Sequence, residues 1–397
     1  MKRRNTAAAA VIACLLMMTG CWDRKEVKDL AIVTASGLDL NKDGTLTQSV
    51  QIVIPTPMQS SGSSSDAKSF FVIAAEGKTL ADSRQRLQEK IHLKLYYSHR
   101  RVIIIGERMA RHGLESVFDS FHREMDMRMR NMVFVAKGAA AESLLNYPVA
   151  LEAIPADQFK NLHKQPAGRA TTIMNFDATA ATEGIEPTMG AFEVIQKQAS
   201  GPSASSTGAE PHIKLYGVGV FKELKLLGFF NDEETRAMNW ATKNMAGSFL
   251  TVYVPQGNGN VSVQILKSKH GFHPLVKGNR ITMGVSVQSE CELIENGTKL
   301  DFSEPANVKL LNALLSSQLT QSIAATVKKS QRLYKADVFG FGRSVHAAYP
   351  SEWKRLSAAW ANVYPEVEVT VRAKTSVIGT GYVKLPLHRK ETKGDVE

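Results

Sequence analysis

Cys21 is the residue of this chain best placed for covalent chemistry. It directly follows Met18-Thr19-Gly20, at the end of an apolar run from Ala7 to Met18 that is itself preceded by Lys2, Arg3 and Arg4. A cationic start, a short apolar run and small residues before the cleavage point form the sorting signal of an exported chain. The run has twelve residues, well below the roughly 20 that cross a bilayer as a helix. A cysteine at this position is the thiol that takes a diacylglyceryl group in lipoprotein processing, so residues 1–20 are expected to be removed and Cys21 to become the S-diacylglyceryl, N-acylated first residue. Met18 stands where most such signals carry Leu. Two buried acyl chains, at about 0.8 kcal/mol per methylene, attach a protein stably where one does so only marginally.

The other reactive residue types do not assemble into known chemistry. Cys14 leaves with the leader and Cys291 becomes the sole unmodified thiol, so no intramolecular disulfide is available. The chain has no Gly-x-Ser-x-Gly elbow and no His-Glu-x-x-His pair. Gly77-Lys78-Thr79 resembles the end of a phosphate loop, but Val72 occupies the place of its first glycine. Ser65…Lys68 and Ser351…Lys354 match Ser-x-x-Lys without the Ser-Asp-Asn or Lys-Thr-Gly that accompany it in penicillin-interacting enzymes. His270 and His273 lack a nearby acid or thiol and read as exposed loop residues rather than metal ligands. The pairs Gly217/Gly219, Gly340/Gly342 and Gly379/Gly381 read as turns and strand irregularities. No catalytic residue, metal or cofactor is expected.

The net charge of the chain is +11, and removing the three leader cations leaves +8. That excess favours an anionic leaflet within a Debye length. Basic residues are dispersed among acids rather than grouped with aromatics, which argues against nucleic acid.

These residues must be carried by an α+β, multi-domain chain. Two Ser/Gly/Pro-rich stretches, Pro55–Asp66 and Ala199–Pro211, punctuate it. The second is the better linker, so the expected domains are 21–198 and 212–397, joined by 199–211. The N-terminal region reads as mixed α/β. A hairpin of Leu30–Leu40 and Thr45–Ile54 around Asn41-Lys42-Asp43-Gly44 opens it, and a helix starts at Thr79. Then come a strand at Arg101–Ile105, a helix from Arg108 to about Arg123, a strand at Met132–Ala136 and a helix at Ala139–Leu145. After the linker, Ile213–Phe221 and Lys225–Phe230 read as a strand pair, and Asn231 and Glu234 as a capping box. Ile281–Leu293 alternates with period two, which puts Cys291 on the buried face as a small core residue. Leu311, Leu315, Leu319, Ile323 and Val327 form the stripe of a long helix, Trp353, Leu356 and Trp360 that of a short one, and Val367, Val369 and Val371 a last strand. The C-terminal region is therefore expected to be a mostly antiparallel sheet packed on a long helix.

Cys21-Trp22-Asp23-Arg24-Lys25-Glu26-Val27 and Asp29-Leu30-Ala31-Ile32-Val33 resemble the mature start of the Ger(x)C lipoproteins, the C subunits of spore germinant receptors. Tyr97-Ser98-His99-Arg100-Arg101-Val102, with Gly106-Glu107-Arg108-Met109-Ala110 and Gly113-Leu114, is similar to the N-terminal domain of that family. Tyr216 to Lys222, Glu233 to Arg236 and Trp240 resemble the opening of its C-terminal half. Ala336 to Gly342, followed by Trp353 and Trp360, resembles its last third. The resemblance implies a non-enzymatic lipoprotein on the outer face of the spore inner membrane, beside integral-membrane A and B subunits, in an assembly that responds to nutrients. The Arg and acid residues of this chain fall mostly on the polar faces of strands and helices, where solvation accounts for them, and a multi-span partner is a better place for a nutrient site, so direct nutrient binding by this chain is not expected. A solute-binding lipoprotein of an importer is the alternative, and requires two similar parallel α/β lobes with a hinge.

Overall fold

The computed structural model describes residues 26–54, 69–124, 127–147, 154–162, 168–195, 212–278 and 280–379, which build two sheets. The larger contains β1 (Leu30–Leu40), β2 (Leu46–Val53), β3 (Phe70–Gly77), β4 (Lys94–Tyr96), β5 (Val102–Gly106), β6 (Met132–Lys137), β7 (Thr188–Ile195), β8 (His212–Lys222) and β9 (Lys225–Phe230). Their spatial order is β3-β2-β1-β5-β6-β7-β8-β9, with β4 beside the start of β1. β1, β5, β6 and β7 run parallel, and antiparallel strands flank them on both sides.

The apolar run Val102-Ile103-Ile104-Ile105 explains the centre of this sheet. Every residue of β5 is buried, as a parallel strand covered on both faces requires. The helices are α1 (Leu80–Glu89), α2 (Glu107–His112), α3 (Glu115–Arg123), α4 (Ala141–Asn146), α5 (Pro155–Leu162) and α6 (Ile173–Ala180). Ile103 and Ile105 face α2, α3 and α6 through Met109, Phe118 and Phe176, while Val102 and Ile104 face α4 and α5 through Leu144 and Phe159. The single helix expected over 108–123 is broken. Gly113 at φ +129° ends α2, its N–H bonded to Met109 O at 3.1 Å, and α3 starts afresh.

The stretches 55–66 and 199–211 lie outside the described residues. The strands on either side of the second, β7 and β8, are direct neighbours, paired from Thr188–Val220 to Ile195–His212. The first sheet thus runs across the sequence position where a domain boundary is expected. β8 and β9 can do this because they are apolar on both faces: Phe221 and Leu226 point to the first core, Val218, Val220 and Phe230 to the second.

The second layer begins with α7 (Asp232–Thr242), whose Asn231/Glu234 capping box is present with both bonds made. β10 (Phe249–Val254), β11 (Gly259–Lys277), β12 (Arg280–Asn296) and β13 (Glu368–Gly379) form the smaller sheet in that order. It is antiparallel except that β13 joins β12 in parallel. His270 and His273 are exposed but lie in β11, opposite Val287 and Gly284, not in a loop. Register shifts at Ser262/Val263 and Ile265/Lys267 interrupt the alternation that would have marked this strand.

Helix α8 (Pro305–Lys329) covers the sheet with the expected stripe, Leu311, Leu315, Leu319, Ile323 and Val327 all being buried. One flank of α8 meets the edge strand β13. The N–H groups of Ala373, Thr375 and Val377 donate to Thr320 Oγ1 (3.1 Å), Ser316 Oγ (3.0 Å) and Asn312 Oδ1 (2.8 Å). On the other flank, Gln318 Nε2 donates to Thr251 O of β10 at 3.2 Å. Polar residues four apart on one helix therefore satisfy main-chain groups that an edge strand leaves open. α9 (Phe341–Ala348), α10 (Pro350–Leu356) and α11 (Trp360–Val363) fill the end of the layer, with Trp353, Leu356 and Trp360 buried.

Candidate functional site

Helix α8 runs into a wide turn, Ser330–Tyr334, after which Lys335 at φ +49° reverses the chain and carries Asp337 inward. Asp337 is 3% exposed. Its Oδ1 accepts from the backbone N–H of Gly340 (2.8 Å) and Phe341 (3.0 Å). Oδ2 accepts from Gly342 N–H (2.8 Å) and from the indole Nε1 of Trp360 (3.0 Å). Burial pushes this carboxyl up to about 6 against the pull of those donors. Glycine is required around it. Gly340 sits at φ +79°, and a Cβ on Gly342 would come within 2.5 Å of Gly184 Cα and 2.6 Å of Trp360 Nε1.

The same turn joins the two layers. Asp337 O accepts from Glu186 N–H (2.8 Å), Gly184 O from Arg343 N–H (3.0 Å), and Glu183 Oε2 from Trp353 Nε1 (3.0 Å). The Glu186 carboxyl is pushed up to about 7, chiefly by burial, although Lys222 opposes this. Nearby, Lys329 Nζ pairs with Glu234 at 2.7 Å, and Tyr334 OH donates to Phe229 O of β9 at 2.8 Å. The donors on Asp337 are amides and an indole, none of which is a nucleophile or a proton relay. The chemistry of this cluster is the holding of one layer against the other.

Cys21, the residue expected to carry lipid, lies outside the described residues, as does the Ser65…Lys68 pair. Cys291 is fully buried in β12 and its thiol is pushed up to about 11 by burial, the state of an unreactive core residue. Ser351 and Lys354 fall in α10, with no partner set of a Ser-Lys nucleophile around them in the sequence. Among the described residues, no three His, Cys, Asp or Glu side chains gather in a way that could hold a metal, and no helix is long and apolar enough to cross a membrane. Ala336 to Gly342 stands out in the sequence only as a family-like segment, and the role of Asp337 is not legible from it alone. An acid followed by Gly-Phe-Gly, with two tryptophans downstream, was the available signal.

Comparison with known proteins covers both layers. A model described as the spore germination protein N-terminal domain matches residues 23–194, and one described as spore germination B3/GerAC-like, C-terminal, matches residues 216–381. Spore germination protein KC of Bacillus subtilis (strain 168) is 26% identical, the match covering 98% of each chain. Spore germination protein YndF of the same organism is 25% identical over 96% of this chain and 99% of that one. The crystal structure of the GerBC protein superposes with a TM-score of 0.56 at 18% identity, over 86% of this chain and 96% of its own, and so shares the α+β fold. The residues that fix the junction, Glu183 to Glu186 and Ala336 to Gly342, thus fall inside the two matched segments, and the chain belongs to the Ger(x)C family of spore germination proteins.

Proposed function

We propose that this chain is the non-enzymatic, lipid-anchored C subunit of a nutrient germinant receptor. In this reading it is held by Cys21 to the outer face of the spore inner membrane and works by docking to integral-membrane A and B subunits. The observation that carries it is the match of both layers, in order, to germination-protein models, behind an export signal that ends at Cys21. The rigid junction supports a docking role. Glu183 and Gly184 accept hydrogen bonds from Trp353 and Arg343, and Glu186 N–H donates to Asp337 O, which ties the two layers together, so a partner seated on either layer positions the other. The solute-binding alternative calls for two similar parallel lobes. The nine-stranded mixed sheet and the four-stranded, mostly antiparallel one differ in topology and share a continuous core.

The test is deletion of the gene in its own spore-former, followed by nutrient-triggered dipicolinate release. Loss of the response to one nutrient class, restored by the wild-type chain and accompanied by co-purification with two membrane proteins, is the expected result. Normal germination with every nutrient, or growth impaired on one solute instead, would overturn the assignment.

A further inference from the structure

The geometry points to a binding site for a small carboxylate with an apolar body, in a cavity of about 350 Å³ between α1, α3 and the first sheet, with Arg100 as its anion-holding residue. This does not depend on the receptor assignment. Arg100 belongs to the Tyr97–Val102 segment and follows a tight turn, Tyr97–His99. Packing of α1 and α3 over β1, β2 and β5 leaves it only 4% exposed. Arg100 is thus an exception to the mostly solvated polar faces on which the charged residues of this chain are expected.

A guanidinium has five N–H donors and carries its charge at any ordinary pH. Arg100 spends them poorly. Nη1 reaches Ser36 Oγ at 3.4 Å, Nη2 meets the thioether of Met127, a weak acceptor, and Nε has no partner. The ring of Tyr97 lies 5.1 Å from its Cζ. No carboxylate among the described residues pairs with it. The acid lining the cavity, Glu124, is bound to Arg84, and Arg123 at the rim is bound to Asp119. An isolated buried charge is strongly unfavourable unless a counter-charge reaches it. Here the open space is next to the charge.

The walls decide the ligand class. Leu38, Leu80, Ile103 and Phe121 surround the cavity beside the arginines. The volume sits at the small end of the range of about 300–1,000 Å³ usual for ligand pockets. A guanidinium with no carboxylate partner among the described residues matches one negative charge, and its planar fork matches the two oxygens of a carboxylate. Apolar walls favour an aliphatic or aromatic tail and disfavour a doubly charged, fully hydrated oxoanion.

The test uses the full chain in detergent, titrated calorimetrically with sodium isovalerate and sodium phenylacetate. Isovaleramide serves as the neutral isostere and inorganic phosphate as the bare oxoanion. Saturable one-site binding of a carboxylate is expected, with the amide at least about tenfold weaker, the scale of one charge-assisted hydrogen bond. Arg100→Met should weaken the carboxylate by a similar factor while leaving the unliganded melting temperature the same or higher, since it removes a buried charge that no described carboxylate pairs with. Arg100→Lys keeps the charge but loses the fork, and should bind more weakly than wild type. No saturable binding, equal binding of acid and amide, preference for phosphate, or wild-type affinity in both variants would each overturn the proposal. So would a collapse of the fold in Arg100→Met, which would mean that the guanidinium is a structural cation stacked on Tyr97.

Discussion

The indole Nε1 of Trp360 donates to Asp337 Oδ2 at 3.0 Å, inside a turn where three backbone amides already converge on the same carboxylate. Because every neighbour is a donor, the site has no place for an amide. Asp337→Asn would set an NH2 group against two N–H donors in either orientation, at a cost of about 2 kcal/mol or more. Urea denaturation of the variant should show a lower midpoint at unchanged slope.

Trp360 also packs on Trp353 with ring centroids 5.2 Å apart and is 6% exposed. Trp360→Ala should destabilise by about 3–5 kcal/mol, the usual cost of truncating a buried aromatic. Trp360→Phe, which keeps most of the ring and loses the donor, should cost less. Thermal melts of the three proteins give the order wild type, Phe, Ala. An unchanged melt for Ala together with weakened partner binding would make this face an interface.

The junction makes stability depend on pH. Glu186 is raised to about 7 from an ordinary 4.5. The folded state therefore binds its proton more firmly than the unfolded state. Its contribution is full below about pH 4 and is lost as pH rises through about 7. Glu186→Gln mimics the protonated form. It should match wild type at pH 4 and melt higher than wild type at pH 8, with the difference opening between about pH 4.5 and 7. A constant difference across that range would count against the mechanism.

The polar row on α8 is testable by hydrogen exchange. Replacing Asn312, Ser316 and Thr320 together with Ala removes the acceptors for Ala373, Thr375 and Val377. Each bond contributes about 1 kcal/mol net, partly offset by the better helix propensity of Ala. Those three amides should exchange faster, while the neighbours that pair with β12 change little.

Attachment is expected to rest on Cys21. Cys21→Ala should yield a folded chain that incorporates no labelled lipid and leaves the membrane fraction. Full retention in membranes would sink the lipidation reading.

The sequence made legible what is periodic or local. The i, i+4 leucines of α8, the Asn231/Glu234 capping box and the burial of Cys291 each follow from spacing within one element. What depends on distant partners was hidden. Arg100 reads as one cation among many in Ser98-His99-Arg100-Arg101, and only the packing of α1 and α3 over the sheet buries it. The histidines of β11 were misplaced because register shifts break the alternation of that strand. Asp337 carries no periodic signal, since its role is set by a turn and by a tryptophan 23 residues away.

The pairing of β7 with β8 has a consequence for how the molecule can be divided. A protease cut within 196–211 would sever one peptide link and leave the ladder from Thr188 to Ile195 intact, so the nicked protein should migrate as a single particle. Conversely, a gene fragment ending at residue 195 would leave β7 as a bare sheet margin. A fragment starting at 212 would present β8 and β9 with no sheet to join. The two family segments are therefore poor candidates for exchange as independent modules, and good ones for reconstitution: expressed separately, each fragment supplies the missing strand partner of the other.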